Sequence, residues 1–301
     1  MPLSFKLFKL IENLTRKPLP KNETYLSVNG SEEELDQTGR IASCPMRYET
    51  TVDEKRGLVF TNFENSVAHS YWRAQELSLF KRSSRNFSAP VLDFGCGDGA
   101  FSACIFKHID FGVDIDQKAL QVAAGYALYD KLITFESMIS SLGDASIGTV
   151  FSCSVLEHTT HLQDCIHQIA RVLKPGGKFY FSVPNVNFTE HMSSLVDKDF
   201  ATIMNARMYH RNLLSEAEWV KLLEEEGFDI ESFISFQPIQ YTRDYFSLSL
   251  LGNRGLGIIP GVRSLFLKFR LRNLLDHVEA SIDGSVVSGA NYFVIASRKL
   301  L

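Results

Sequence analysis

The sequence predicts an α/β protein, a parallel sheet whose strands are joined by crossover helices. Three observations carry this. The stretch V-L-D-F-G-C-G-D-G-A-F, Val91 to Phe101, reads as the end of a buried strand, a tight glycine turn and the start of a helical run through Ile105. Short apolar runs then alternate with amphipathic segments at βαβ spacing. Leu162, Ile166, Ile169, Val172 and Leu173 form an apolar stripe at helical spacing, and L-K-P-G-G turns that helix into the strand-like run F-Y-F-S-V.

Composition narrows the class. The chain has 301 residues, 45% hydrophobic and 22% charged, enough for one large domain or a domain with a cap. A net charge of −4 argues against a general nucleic-acid binder. The N-terminal apolar residues are broken by Lys6 and Lys9, so no signal peptide is read. No run of about 18 apolar residues occurs, so no membrane span is expected. Five cysteines, Cys44, Cys96, Cys104, Cys153 and Cys165, fit no zinc or disulfide framework and read as reduced cytoplasmic thiols. Cys44-Pro45 lacks a second cysteine at ligand spacing, so no metal is assigned there.

Residues 1–65 read as an N-terminal extension. Phe5, Leu7, Phe8, Leu10, Ile11 and Leu14 suggest a short basic amphipathic helix before Pro18 and Pro20, docked on its own domain or touching a membrane surface. Asn29 to Arg40 is polar and reads as a loop. Asn65 to Phe80 is expected to be a helix carrying Tyr71 and Trp72. Past the glycine turn, F-G-V-D-I-D (Phe111 to Asp116) is a second strand, Gln117 to Tyr129 a helix, and Leu132 to Phe135 a third strand. Thr149 to Ser154 is a fourth strand and Lys178 to Val183 a fifth, closed by Pro184-Asn185. His210 to Glu226 reads as one helix stopped by Gly227, before a sixth strand, Phe228 to Phe236, and a final strand, Asn291 to Arg298.

Gly95, Gly97 and Gly99 let backbone approach a ligand closely. G-C-G-D-G-A also satisfies the dinucleotide pattern, a weak signal alone. Asp93 offers a negative group to a cationic part of a ligand. Asp114, about 20 residues past the first glycine, is placed to accept hydrogen bonds from ribose hydroxyls.

Taken in order, V-L-D-F-G-C-G-D-G, G-V-D-I-D, S-V-L-E-H and R-V-L-K-P-G-G-K-F-Y-F-S-V-P-N resemble the class I S-adenosylmethionine (SAM) methyltransferases of the small-molecule type 11 group. Their pattern is close to that of the ubiquinone-biosynthesis O-methyltransferases. The resemblance covers roughly Tyr71 to Gln237 plus the last strand. It implies a Rossmann-like seven-stranded sheet of order 3-2-1-4-5-7-6, strand seven antiparallel and helices on both faces. The methyltransferase domain is then 66–239 with 290–301, and 240–289 is an insertion between strands six and seven. SAM is the implied cofactor, leaving as S-adenosylhomocysteine. By motif position, Gly95, Cys96, Gly97 and Gly99 meet its methionine part and Asp93 its amino group. Asp114 takes the ribose, Ile115 the adenine face and Glu136 or Ser137 the adenine amino group, while Ser154 and Val155 line the methyl-donor end.

His158 follows the fourth strand, beside the expected methyl group. It reads as a general base or, alternatively, as part of a structural loop with Glu157. Some members of this group bind a divalent cation with acidic residues and histidines in this loop. Here Ser154 stands where the first acidic ligand would be, so no metal is expected despite Glu157, His158 and His161. His69, His108, His167, His191, His210 and His277 have no ligand-like spacing and read as ordinary histidines.

The expected activity is methyl transfer from SAM to a small-molecule acceptor, an O-methylation of a lipid-like, glycosyl or carboxylated intermediate. The alternative is a SAM-binding regulator or assembly protein without transfer. No nucleic-acid partner is expected, and the chain reads as a monomer or homodimer. About 50 residues in 240–289 exceed the hairpin that the fold needs there. Apolar Tyr241, Tyr245, Phe246, Leu248, Leu250 and Leu251 precede a stretch where Lys268, Arg270 and Arg272 alternate with Leu267, Phe269 and Leu271. This reads as a lid over the acceptor pocket, its basic face turned to an anionic acceptor or membrane surface.

Overall fold

The computed structural model describes residues 50–53, 58–61, 67–248, 286 and 288–300. The expected N-terminal helix, the Asn29 to Arg40 loop, Cys44, His277 and the basic part of the insertion lie outside the described residues. Strands β1 (Thr50–Asp53) and β2 (Leu58–Thr61) pair antiparallel within the expected N-terminal extension. Helix α1 (Val67–Ser83) follows. The main alternation is β3 (Val91–Phe94), α2 (Ala100–Ala103), β4 (Ile109–Asp114), α3 (Gln117–Ala124), β5 (Tyr129–Thr134), α4 (Phe135–Ser141), β6 (Ile147–Cys153), α5 (Leu162–Val172) and β7 (Leu173–Pro184). Then come α6 (Val186–Leu195), α7 (Lys198–Arg207), α8 (Glu216–Glu225), β8 (Phe228–Phe236), α9 (Ile239–Leu248) and β9 (Asn291–Arg298).

The sheet order is β5-β4-β3-β6-β7-β9-β8. Counted from β3 this is 3-2-1-4-5-7-6, with β9 antiparallel to both of its neighbours, as the resemblance implies. Alternate residues along the central strands serve two cores, because successive side chains point to opposite faces. Phe151, Tyr180 and Phe293 pack with Tyr71, Leu77 and Phe80 of α1. Val150, Phe179, Phe181 and Val294 pack with Ile166 and Ile169 of α5 and Trp219 and Leu223 of α8. A third cluster, Phe188, Met192, Leu195, Phe200 and Phe246, joins α6, α7 and α9, with Trp72 of α1 against it.

Strand direction positions the site. β3 to β7 run parallel, and β8 shares their direction because both β7 and β8 flank antiparallel β9. The chain therefore leaves one edge of the sheet after Phe94, Asp114, Thr134, Cys153, Pro184 and Phe236. The glycine turn, the Ser154–His158 turn, α6 and α9 all start there.

Several element expectations are corrected. His210 to Glu226 is not one helix. Ser215 accepts from Glu218 N and Glu218 reaches back to the Ser215 amide, a capping box that starts α8 at Glu216. Upstream, Arg211 N (2.7 Å) and Asn212 N (3.0 Å) both donate to Glu157 O, which holds that segment extended. Helices α6 and α7 were not expected. They start where Asn185 accepts from Asn187 N and Asp197 from Phe200 N, two cap residues the sequence displays. The third strand ends at Thr134 rather than Phe135, because Thr134 caps α4 by accepting from Ser137 N. The Lys174–Gly177 turn is absorbed into β7 as an irregularity opposite Ile147 and Thr149.

Candidate active site

The glycine turn is tied to β4 by backbone. Gly95 N (2.7 Å) and Cys96 N (2.9 Å) both donate to Val113 O, and Gly99 N closes onto Cys96 O at 3.0 Å. Gly95 has φ 77, and a Cβ there would sit 2.4 Å from the methyls of Val155, so only glycine fits. Val155, expected at the donor end, is thus packed directly on the turn. At Gly97, φ 53, an added Cβ would meet nothing within 4 Å, leaving an open approach to backbone. α2 is a single turn, and its Ala100 N donates to Asp98 Oδ1 at 3.0 Å.

The acidic positions end adjacent strands. Asp114 Oδ2 accepts from Gly97 N at 2.8 Å and its Oδ1 from Asp116 N at 2.9 Å. Each carboxylate oxygen has two lone pairs, so acceptor capacity remains on both. Asp114 pairs with Thr134 across the β4–β5 ladder, which brings Glu136 and Ser137, both exposed, to the neighbouring strand end. Ile115 is 73% exposed between them and the glycine turn, an apolar surface without cover.

Asp93 is buried. Its Oδ2 accepts from Ser102 Oγ (2.5 Å) and Tyr129 OH (2.7 Å). Burial raises its pKa to about 7 against these two donors, which pull it down, while Asp114 adds to the rise. A cation beside Asp93 would favour its ionised form. Burial likewise pushes the Cys96 thiol well above its usual range, so that thiol stays protonated.

The other half of the edge follows β6. Ser154 has φ 52, a left-handed conformation, and its amide donates to Ser182 O at 2.9 Å. Its hydroxyl donates to Glu76 Oε1 of α1 at 2.7 Å. Arg73 donates to the other oxygen, Oε2, at 2.7 Å, and Ser182 Oγ to Oε1 at 2.9 Å. The Arg73 guanidinium also lies over the Phe101 ring, 5.9 Å from its centre.

Residues 156–158 form one 3-10 turn. His158 Nδ1 faces Tyr209 O at 3.3 Å; a carbonyl can only accept, so this contact puts the proton on Nδ1 and a lone pair on Nε2. Burial lowers the His158 pKa, and burial together with the nearby His158 lowers His210 to about 4. The two imidazoles lie 5.5 Å apart. Glu157 is buried, its Oε2 has no hydrogen-bond partner, and burial raises its pKa to about 8. Its Oε1 lies 3.6 Å from His158 Nε2. Glu157, His158 and His210 each offer a ligand atom within 4.8 Å of the others, a set that could take a divalent cation. His161, grouped with Glu157 and His158 by sequence, pairs instead with Asp164 on its own helix at 3.8 Å.

Four residues escaped the sequence reading: Arg73, Glu76, Tyr129 and His210. The i, i+3 spacing of Arg73 and Glu76, next to Tyr71 and Trp72 on the same helix, was a usable signal. Nothing local marks His210, 52 positions from His158 in the chain.

A glycine turn leaving the first parallel strand and hydrogen-bonded to the second, with an acidic residue ending the second, on a sheet of order 3-2-1-4-5-7-6, defines the Rossmann-like cofactor-binding fold of class I methyltransferases. A family profile described as a methyltransferase domain matches residues 69–232, more than half of the chain, and the chain belongs to this family, within the class I SAM-dependent group. It is 34% identical over 116 residues to a ubiquinone biosynthesis O-methyltransferase of Coxiella burnetii (strain Dugway 5J108-111), covering 36% of this chain and 50% of that protein. It is 29% identical over 156 residues to the Vibrio parahaemolyticus protein of the same name, covering 49% and 66%. The match thus spans half to two thirds of these relatives. A solved structure from Galdieria sulphuraria, whose description contains the words sarcosine dimethylglycine methyltransferase, shares the fold at TM-score 0.50 and 14% identity, over 83% of this chain and 91% of that one.

Proposed function

We propose that this protein transfers a methyl group from SAM to an oxygen of a small-molecule acceptor. The observation that carries the reading is the carboxyl edge. Asp93, the open backbone at Gly97, Asp114 and exposed Ile115 lie along two adjacent strands, β3 and β4, and Val155 and His158 continue that edge after β6. This set fits SAM: Asp114 keeps lone pairs for the ribose, Ile115 an apolar face for the adenine, and Asp93 a buried carboxyl for the amino group. Glu136 or Ser137 would meet the adenine amino group, Gly95, Cys96, Gly97 and Gly99 the methionine part, and Ser154 and Val155 the methyl end. Arg73, a quarter exposed beside Phe101, offers a cation to the carboxylate of the same amino-acid part.

When bound, SAM supplies an electrophilic methyl on a sulfonium with its own leaving group. The chain's task is therefore alignment, exclusion of water and removal of a proton. His158 is placed for the last of these. Its Nδ1 is occupied by Tyr209 O, its ring stays neutral at pH 7, and Nε2 can take the proton of an acceptor hydroxyl. The printed names of the Coxiella and Vibrio relatives support oxygen as the acceptor atom.

We read the acceptor as a lipid-like, glycosyl or carboxylated small molecule, and α9, the described start of 240–289, as the beginning of a lid over it. Support comes from α9, the described start of that segment. It leaves the carboxyl edge and packs Tyr241 on Tyr71 at 4.0 Å and Tyr245 against Trp72 at 5.0 Å. The four described cysteines are free thiols, in line with a cytoplasmic site of action. No described helix is long and apolar enough to cross a membrane. The protein acts without nucleic acid, as a monomer or homodimer. Incubation with methyl-labelled SAM and cell extract should give a labelled small molecule. Tight SAM binding with no labelled product from any extract would point to a regulator or assembly protein instead.

A further inference from the structure

Glu76 is a buried acid for which methyl transfer has no direct use. It sits in the middle of α1 with no exposed surface, and its carboxylate takes three donors from three elements. Oε2 takes Arg73 Nη1; Oε1 takes Ser154 Oγ and Ser182 Oγ, from just past β6 and from β7. Burying an ionised carboxylate is costly, and a neutral side chain could accept from two hydroxyls as well. What a neutral amide cannot do is serve the two hydroxyls and at the same time offer the guanidinium a second, charged acceptor oxygen. Among the described residues, Arg73 has only weaker other contacts: Cys153 Sγ at 3.6 Å, the Phe101 ring and the more distant charge of Glu157. It is also the only member of this network that pairs full charge with partial exposure: a quarter of its side chain is exposed, against none of Glu76. The carboxylate is thus the anchor and the guanidinium the working end.

We propose that Glu76 is a positioning residue. From one buried carboxylate it sets Arg73 for the amino-acid end of the cofactor and holds left-handed Ser154 beside the methyl end, so that both walls move as one. This rests on the methyltransferase reading above. It goes beyond it by assigning the coupling of α1 to the strand ends to a single side chain that touches neither donor nor acceptor.

The test compares two ligands that differ at that end. S-adenosylhomocysteine carries the amino-acid part; 5′-methylthioadenosine lacks it. Glu76→Gln keeps the shape and an acceptor for the two serines but loses the charge that holds Arg73. It should weaken S-adenosylhomocysteine about tenfold by calorimetry, the scale of one charge-assisted hydrogen bond, and leave methylthioadenosine within about twofold. In an Arg73→Gln background the same substitution should cost nothing further, because the partner is gone. Ser182→Ala removes a donor to the carboxylate without touching Arg73, so it should leave the ratio of the two affinities unchanged. Should Glu76→Gln not fold, the double variant, which leaves no stranded charge, carries the test: it should match Arg73→Gln alone. Equal loss for both ligands, or no loss for either, overturns the positioning role. A wild-type protein that binds neither ligand overturns the methyltransferase reading itself.

Discussion

The two halves of the carboxyl edge are built in different ways. The half at β3, β4 and β5 is local in sequence. Asp93, the glycine turn, Asp114 and Ser137 fall within one continuous stretch, and their contacts stay inside it: backbone amides to carbonyls and to Asp114, and the Ser102 and Tyr129 hydroxyls to Asp93. The half at β6 and β7 draws on the whole chain. Ser154 meets Glu76 from 78 positions away, His158 meets Tyr209 from 51, and Tyr71 meets Tyr241 from 170. A cofactor shared by many proteins can be met by backbone and a few fixed acids. A site that also aligns an acceptor draws on side chains gathered from elsewhere, and this half carries Glu76, Glu157 and the two perturbed imidazoles.

The largest expected effect tests the gathered half. His158→Ala should lower turnover by about 10²–10⁴ while S-adenosylhomocysteine affinity stays nearly intact. A loss under tenfold in steady-state turnover would reduce His158 to a structural part of its loop. Next comes the local half: Asp114→Ala should weaken S-adenosylhomocysteine by about 1.5–3 kcal/mol, the range for a hydrogen bond to a charged group. Unchanged affinity by calorimetry would remove Asp114 from the cofactor site.

A smaller effect is a pH dependence of the local half. The pKa of Asp93 in the folded protein, about 7, lies above its ordinary value of 3.8. The folded state therefore holds a proton there that the unfolded chain has released. This group's contribution to stability falls as pH rises from about 4 to 7, and Asp93→Asn should flatten that slope. A bound ammonium favours the carboxylate, so binding should release this proton. Affinity for S-adenosylhomocysteine should then rise up to about tenfold between pH 6 and 8, and Asp93→Asn should abolish the rise. Calorimetry in buffers of different ionisation enthalpy checks the proton release; none at pH 6.5 would detach Asp93 from the ammonium.

The smallest expected effect is none at all. Turnover should survive dialysis against EDTA, since the proposed base needs no metal. Activity lost to chelator and restored by magnesium or zinc would turn Glu157, His158 and His210 from a base and its neighbours into a ligand set.

The sequence by itself determined the alternation of strands and helices and named the glycines and acids of the local half, while the strand order came from its resemblance to class I methyltransferases. Strand period, glycine turns and the acids ending successive strands are written in neighbouring residues, because β3 to β5 and their turns close over short loops. The starts of α6, α7 and α8 are also local, marked by cap residues Asn185, Asp197 and Ser215. Only the tertiary structure decided that His210 rather than His161 stands beside His158, and that a helix-α1 glutamate reaches Ser154. No local pattern encodes those contacts. They exist because α1 packs its face across the ends of β6 and β7, and because Arg211 and Asn212 bind the Glu157 carbonyl. Each is a product of the packed core, formed once distant segments share the edge of one sheet.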